Sequence, residues 1–170
     1  MKSRVEPEVS PHLIDVQVDE QFQVRVQPDL LHRAALATLV HQRVEEPYEL
    51  AVVLTGDEQL HKLNLRHRGV DAPTDVLAFP GGGEGGASVP FVSAPVIPRY
   101  LGDVVISFQC AEAQAAETGH GVQAELQLLT IHGVLHLLGH DDVEEEQRAQ
   151  MWAAQAEILQ ALGVAAHPPA

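Results

Sequence analysis

The segment IHGVLHLLGHDD, residues 131–142, holds three histidines and two aspartates among leucines and glycines. His132 and His136 are four residues apart, so in a helix they would lie on one face, separated by one turn. Two imidazoles placed in this way can bind one metal ion together. The segment is therefore a candidate metal site, and a third ligand is needed to complete it.

The residues after the predicted helix supply the candidates for that third ligand. Gly139 stands where a helix commonly ends in a left-handed glycine, and a turn there would bring the following residues back toward the histidines. The candidates are His140, Asp141 and Asp142. The alternative is a segment without metal, in which one of the two aspartates caps the last helix and a following glutamate completes a capping box.

One position disfavours a peptidase. In helical metalloproteases the residue directly after the first histidine is a glutamate, which acts as the general base. Gly133 occupies that position here. A base must therefore come from elsewhere, or the reaction must need less help than peptide hydrolysis does.

A second group of chemically useful side chains lies in the segment HKLNLRHRG, residues 61–69. Lys62 and Arg66 would share one helical face. An arginine at a helix end, such as Arg68, can hold a phosphate group or stabilise the charge that develops on it. The alternative is a solvated helix whose cations are favoured near its C-terminus.

The composition of the whole chain limits its function. The 170 residues fit a single domain, residues 1–170, and 45% of them are hydrophobic, as in a globular protein. The net charge of −14 argues against non-specific nucleic-acid binding, so any RNA contact requires a local basic patch. No apolar run approaches the roughly 18 residues of a membrane span, and the N-terminus lacks a signal-peptide core. We therefore expect no membrane association and a cytoplasmic location.

Hydrophobic periodicity predicts the elements that position these side chains. Alternation over residues 13–26 predicts one or two half-buried strands. Thr55 and Glu58 have capping-box spacing at the start of a helix that Gly69 can end. Strands mixed with helices indicate an α/β or α+β sandwich around a small mixed sheet. Further strands are expected at 48–55, 75–80 and 101–108. Helices are expected at 28–46, 57–68, 122–138 and 143–162, with one more that follows the last strand and ends near residue 119.

Residues 80–98, PGGGEGGASVPFVSAPVIP, are rich in glycine, proline and serine. This composition predicts a mobile surface loop within the domain and not a boundary between two domains. The loop is either a solvated insertion without function or a lid over a site.

Four segments occur in order along the chain: LNLRHRG, PTDVLAFP, LGDVVIS and HGVLHLLGHD. Together they resemble the YbeY family, the bacterial endoribonucleases of ribosomal RNA maturation, over about residues 48–163. The resemblance implies an α/β (α+β) fold, here with a small mixed sheet of about four strands packed with five or six helices. It also implies metal-dependent hydrolysis of single-stranded RNA in small-subunit rRNA 3′-end maturation and ribosome quality control. The implied partners are single-stranded RNA, rRNA, and the ribosome or a ribosomal protein.

The resemblance also implies one zinc ion per chain, bound by the family pattern H-x-x-x-H-x-x-x-x-x-H. His132 and His136 match the first two ligands, and the third position is Asp142, where this chain departs from the family's histidine. Aspartate is an acceptable zinc ligand, and three protein ligands with an open position suit a catalytic ion. His140 is the alternate third ligand. Arg68 matches the family's important arginine, which is expected to contact the RNA phosphate near the metal.

Lys62 and Arg66 are the remaining candidates for RNA binding. Two smaller departures are Val70, where the family commonly has lysine, and Ala78, where it commonly has serine. Loss of that lysine removes one cation from the expected RNA groove. Two other functions stay open: a metal-dependent hydrolase of a peptide or ester, and a ribosome-associated binding protein with structural zinc. A structural ion normally has four protein ligands. In this segment, that number would be reached only if His140 and Asp142 both bound the ion together with the two histidines.

Overall fold

The structure, a computed structural model, describes residues 10–82 and 98–166. Strands and helices mix along this part of the chain, and three helices follow the last strand. The strands are β1 (Leu13–Val18), β2 (Tyr48–Thr55), β3 (Val76–Pro80) and β4 (Arg99–Ser107). The helices are α1 (Pro28–His41), α2 (Asp57–Arg68), α3 (Phe108–Thr118), α4 (Val122–Leu137) and α5 (Glu145–Leu162), with a 3₁₀-helix at Glu20–Arg25 before α1.

The strands form one mixed sheet in the order β1-β2-β4-β3. β2 pairs in parallel with both β1 and β4, whereas β3 pairs antiparallel with β4 at the edge of the sheet. β2 lies in the middle, and the side chains of Leu50, Val52 and Leu54 on it are fully buried. The predicted α/β fold, with a small mixed sheet of about four strands packed with five or six helices, is confirmed.

Helices cover both faces of the sheet. α1, α3 and α4 pack on one face, in a core that includes Leu31 and Phe108. α2 packs on the other face, where its Leu60 forms a smaller hydrophobic cluster with Leu77 and Val105 of the sheet. α5 lies outside α1 and α4 and buries Met151 in a third cluster. This arrangement encloses α4 between the sheet and α5.

The sequence of α4 explains why it exposes so little. Eleven residues between 125 and 137 are buried, and only His132 and His136 are partly exposed in that stretch. Apolar residues lie around most of the circumference of this helix, and such a helix belongs inside a protein. A Cβ atom on Gly133 would lie 2.4 Å from Cγ1 of Val104 on β4, so the helix requires a glycine there to lie this close to the sheet. No side chain fits at the position where a metalloprotease carries its glutamate.

Of the one or two strands expected within residues 13–26, the structure contains one, β1, and residues 20–25 are not a strand. The chain forms the 3₁₀-helix there, and the carboxylate of Asp19 caps it by accepting a backbone hydrogen bond. The apolar alternation does not mark one buried face, because Phe22 is buried whereas Val24 is 96% exposed.

The capping box predicted from Thr55 and Glu58 is also wrong. α2 begins after Gly56, which provides no side-chain cap, and Glu58 instead pairs with Lys62 one turn further along. The end of the helix is as predicted, since Gly69 follows it in the left-handed conformation with φ of 69°.

Most of the predicted loop at 80–98 lies outside the described residues, since the description stops at 82 and resumes at 98. The single domain over residues 1–170 likewise stays a prediction. Within the described ranges, no helix combines the length and the apolar character that crossing a membrane requires.

Candidate metal centre

α4 ends in a turn that brings Asp142 back beside the two histidines. Gly139 adopts a positive φ of 98°, and the amide of His140 donates to the carbonyl of Leu135 at 3.0 Å. This pattern is typical of a helix that ends in a glycine. The carboxylate of Asp141 accepts hydrogen bonds from the next two backbone amides, so that side chain stabilises the turn.

The alternative in which an aspartate caps the last helix is wrong. The N-cap of α5 is Glu144, and it makes no side-chain capping hydrogen bond. The carboxylate of Asp142 is 42% exposed and faces the histidines. It is therefore in a position to act as a ligand.

His132, His136 and Asp142 direct their ligand atoms toward one point. The Nε2 atoms of the two histidines are 3.0 Å apart, and they lie 3.9 and 4.0 Å from the carboxylate oxygens of Asp142. The three ligand atoms lie within 4.8 Å of one another. Two nitrogens bound at about 2.0–2.1 Å to a tetrahedral zinc ion would be roughly 3.3 Å apart. The nitrogen spacing and the donor types, two imidazole nitrogens and a carboxylate oxygen, suit a divalent ion such as zinc, and the carboxylate of Asp142 would move roughly 0.6 Å closer to complete a tetrahedral set.

His140 points elsewhere. A ring nitrogen, Nε2, lies 2.7 Å from the amide oxygen of Gln42, which it can reach as a hydrogen-bond donor. Among the described residues, the group able to share an ion contains Asp142 and omits His140. After the turn at Gly139, His140 therefore points away from the histidine pair, whereas Asp142 faces it.

A buried amide orients the first histidine. Nδ1 of His132 lies 2.6 Å from Oε1 of Gln155 on α5, whose side chain is 2% exposed. An amide oxygen accepts hydrogen bonds, so this contact places the proton of His132 on Nδ1 and leaves Nε2 free for a metal. Gln155 is therefore a positioning residue behind the site.

The surroundings favour the neutral form of the second histidine. Burial lowers the pKa of His136, and the neighbouring imidazole of His132 lowers it further. The carboxylates of Asp142 and Asp141 oppose this shift. A neutral imidazole is the form that binds a metal, so the site keeps His136 ready for binding near neutral pH.

A cleft of about 460 Å³ opens over the three residues. Strand β3 forms one wall of it, and Arg68 reaches it from the end of α2. Asp75, Asp141 and Asp142 also line it, so Arg68 is the single arginine or lysine among the described residues of the lining. Ala78, one of the departures from the family, lies on the β3 wall.

The other two cations of α2 do not line the cleft. Lys62 is 68% exposed and pairs with Glu58 at 2.9 Å, as a surface ion pair along the helix. Arg66 lies in the last turn of α2 and is exposed. Of the three predicted RNA contacts on this helix, the structure brings Arg68 alone to the candidate metal ligands.

Sequence reasoning missed Gln155 and its neighbour Trp152. Both lie on α5 beside His132, in a second cavity described below. They are 23 and 20 positions beyond the histidine, and nothing in their spacing relates them to the motif. Their role depends on how α5 packs against α4.

The chain matches one known family over most of its length. The profile described as Endoribonuclease YbeY matches residues 14–163. A protein named Endoribonuclease YbeY from Chloroflexus aurantiacus is 46% identical over 154 residues, covering 90% of this chain and 97% of that protein. Proteins of the same name from Roseiflexus sp. strain RS-1 and Shouchella clausii are 43% and 41% identical, covering 91% and 89% of this chain and 96% and 97% of those proteins.

The fold has a solved counterpart. The solution structure of TM1509 from Thermotoga maritima matches with a TM-score of 0.54 and 23% identity, over 89% of this chain and 92% of that one. At this identity the likeness concerns the fold alone. The family rests on the profile match and on the relatives above 40% identity, and by these the chain belongs to the YbeY family of endoribonucleases.

Proposed function

We propose that this protein is a zinc-dependent endoribonuclease that cleaves single-stranded RNA during small-subunit rRNA 3′-end maturation and ribosome quality control. The observation that carries the proposal is the convergence of His132, His136 and Asp142 in a cleft that Arg68 also lines. Endoribonuclease chemistry fits the name shared by the relatives.

The chain's own residues have distinct roles in this proposal. Asp142 and the two histidines hold the ion, with Gln155 fixing the orientation of His132. An ion held by these three residues would supply Lewis-acid chemistry for polarising a phosphoryl oxygen and activating water. Arg68 binds the phosphate and stabilises the charge that develops on it during cleavage. Gly133 provides no general base, so the reaction relies on the ion and on Arg68.

The charge of the chain bears on how it meets RNA. A net charge of −14 and one lining arginine give weak attraction to free RNA. We therefore propose that the substrate is presented on the ribosome, positioned by a ribosomal protein, and that the protein acts in the cytoplasm, where ribosomes are.

Two other functions are distinguishable from this one. A peptidase or esterase is disfavoured because Gly133 leaves no space for a base beside the site. A ribosome-associated protein with structural zinc is disfavoured because His140 contacts Gln42, and three ligands leave the ion open. In the structural case, chelation would unfold the domain, whereas a catalytic ion is removed with the fold retained.

The test is cleavage of a short single-stranded RNA with the sequence of a small-subunit rRNA 3′ end, and of the same RNA in a duplex. We expect cleavage of the single strand by the zinc-loaded protein and a loss of about 100-fold or more in Arg68→Ala, the range of removing one charge-stabilising donor. Arg66→Ala is the matched control, because the same residue type on the same helix lies outside the cleft, and it should change the rate far less.

Casein and a simple ester are the control substrates for the rival hydrolase. Hydrolysis of either one that survives Arg68→Ala, together with no cleavage of RNA, would refute the proposal. Loss of the folded state on chelation would instead support structural zinc.

A further inference from the structure

A second cavity of about 230 Å³ lies behind the metal centre. We call it the side chamber. It shares the lining residues His132, Asp142 and Asp75 with the cleft, so the two spaces adjoin at the candidate metal ligands. A group bound in the side chamber would therefore lie next to a phosphate bound in the cleft.

The walls of the side chamber suit a flat ring. Leu128 and Leu129 of α4 are 3% and 5% exposed and supply buried apolar surface. Trp152 of α5 is 38% exposed and presents an indole to the cavity. An indole is the kind of surface on which nucleic-acid bases stack in proteins that bind single strands.

The polar groups of the side chamber are directional. Oε1 of Gln114 is buried and has no hydrogen-bond partner among the described residues, while its amide NH₂ donates to Asp75 at 3.2 Å. The contact with His132 uses the oxygen of Gln155 and leaves its NH₂ as a donor. The buried Gln114 oxygen faces away from the open space, so Gln155 is the side chain that offers a donor to the edge of a heterocyclic base.

The charges of the side chamber disfavour a phosphate. Asp75, Asp142 and Glu125 line it, and its described lining, unlike that of the cleft, contains no arginine or lysine to offset their repulsion. The carboxylate of Glu125 is bound to the ring of His120, and both side chains are almost fully buried. The carboxylates could accept a small cation, but two leucines and the indole give the rest of the wall an apolar surface that suits the faces of a ring. A neutral, planar, hydrogen-bonding group fits both parts of the wall.

We propose that the side chamber binds one unpaired base of the RNA, next to the phosphodiester bond that is cleaved. The proposal rests on the proposed function and adds a source for its single-strand specificity. A base in a duplex is paired and stacked on both sides, so it cannot enter the chamber without being extruded. A single-stranded base can enter at little cost.

Trp152 is the only tryptophan in the chain, so its fluorescence reports on the chamber directly. The first experiment titrates the metal-free protein with a uridine tetranucleotide and with the same chain of abasic riboses. We expect quenching by the tetranucleotide and little by the abasic chain. Equal responses to the two would overturn the proposal. This result does not depend on cleavage, so it separates the chamber from the nuclease activity.

The second experiment scans one abasic ribose along the cleaved RNA. We expect a single position at which kcat/KM falls about 5- to 150-fold, corresponding to the roughly 1–3 kcal/mol of a stacked base. Trp152→Ala should lower kcat/KM for the intact RNA by a similar factor, and an abasic ribose at that position should then cause no further loss. Trp152→Phe should keep the wild-type rate on intact RNA and the loss at the abasic position. Tyr100→Ala, an exposed aromatic residue outside both cavities, is the control.

The zinc content of Trp152→Ala should equal that of the wild type, which excludes an indirect effect on the metal centre. A flat scan with an active wild-type protein, or unchanged sensitivity in Trp152→Ala, would overturn the base subsite while the nuclease function stands. No cleavage by the wild type, with quenching that depends on the bases, would overturn the nuclease and leave the subsite.

Discussion

Gln155 and His132, on different helices, are joined by a hydrogen bond of 2.6 Å between the amide oxygen and Nδ1. Because the amide is 2% exposed, water does not readily replace it as the acceptor. The histidine is held with Nε2 toward Asp142 before any ion arrives. This contact makes α5 part of the metal centre although it supplies no ligand.

Gln155→Ala should therefore weaken zinc binding by about 10- to 100-fold, the range seen when the acceptor behind a metal-bound histidine is removed. Competition with a chromophoric chelator measures the affinity. Gln155→Glu retains an acceptor and should bind zinc almost as well as the wild type. Gln160→Ala is the control, because it changes the same residue type at an exposed position of the same helix.

The ¹⁵N chemical shifts of His132 provide a readout that a loss of packing alone would not change. In metal-free wild type they should report a proton on Nδ1, and in Gln155→Ala a mixture of tautomers. If zinc affinity and tautomer are both the same in Gln155→Ala as in the wild type, Gln155 does not position the ligand.

The close packing of Gly133 on Val104 predicts a cost for the smallest possible side chain. Alanine is better than glycine in a helix by about 1 kcal/mol, but the added Cβ would lie 2.4 Å from a valine methyl group. Overpacking costs about 1–3 kcal/mol, so after the helix gain Gly133→Ala should lower the free energy of unfolding by up to about 2 kcal/mol. Urea denaturation measures it.

The same substitution in a Val104→Ala background gives the control. Removal of the valine methyl groups makes room, so Gly133→Ala should cost less there or become stabilising. If Gly133→Ala changed the free energy of unfolding equally in the two backgrounds, the contact with Val104 would not be the reason that this position requires glycine.

The thiol of Cys110 should be unreactive in the folded protein. Burial raises its pKa to about 11, with a contribution from its hydrogen bond to Asp57. At pH 8 the thiolate fraction is then about 100-fold lower than for an unperturbed cysteine. Alkylation by iodoacetamide should slow by a similar factor relative to the urea-unfolded chain, and equal rates would contradict the predicted environment.

The single arginine of the cleft predicts a small salt dependence of RNA binding. If this arginine neutralises one phosphate, the slope of log K against log salt concentration should be about −0.7 for a single strand. Fluorescence anisotropy with metal-free protein measures the slope without cleavage. A slope near −5.6, which corresponds to about eight phosphates, would require a basic surface that the described residues of the cleft do not form.

The elements that position the site could be predicted from the sequence where the hydrophobic pattern marks a strand or helix, or where a glycine marks its end. The central strand β2, the end of α2 at Gly69 and the turn at Gly139 were all predictable, because each depends on local geometry. The 3₁₀-helix was not, since the pattern around Phe22 and Val24 alternates while only one of them is buried.

The site itself was predictable only in part. The spacing of the two histidines identifies a shared face, but the choice between His140 and Asp142 depends on how the chain turns after the helix. Gln155 and Trp152 could not be found from spacing, because they reach the site through the packing of α5 on α4. Such contacts between helices leave no periodic signal in one sequence.

The most direct test of the account is zinc content and affinity in the purified wild type, in Asp142→Ala and in His140→Ala. Their circular dichroism spectra should match, as a check that each variant is folded. We predict one tightly bound zinc ion per chain in the wild type and in His140→Ala, and loss of the ion in Asp142→Ala. A wild type that binds no zinc, or an Asp142→Ala variant that binds it as tightly as the wild type, would contradict the metal centre of His132, His136 and Asp142.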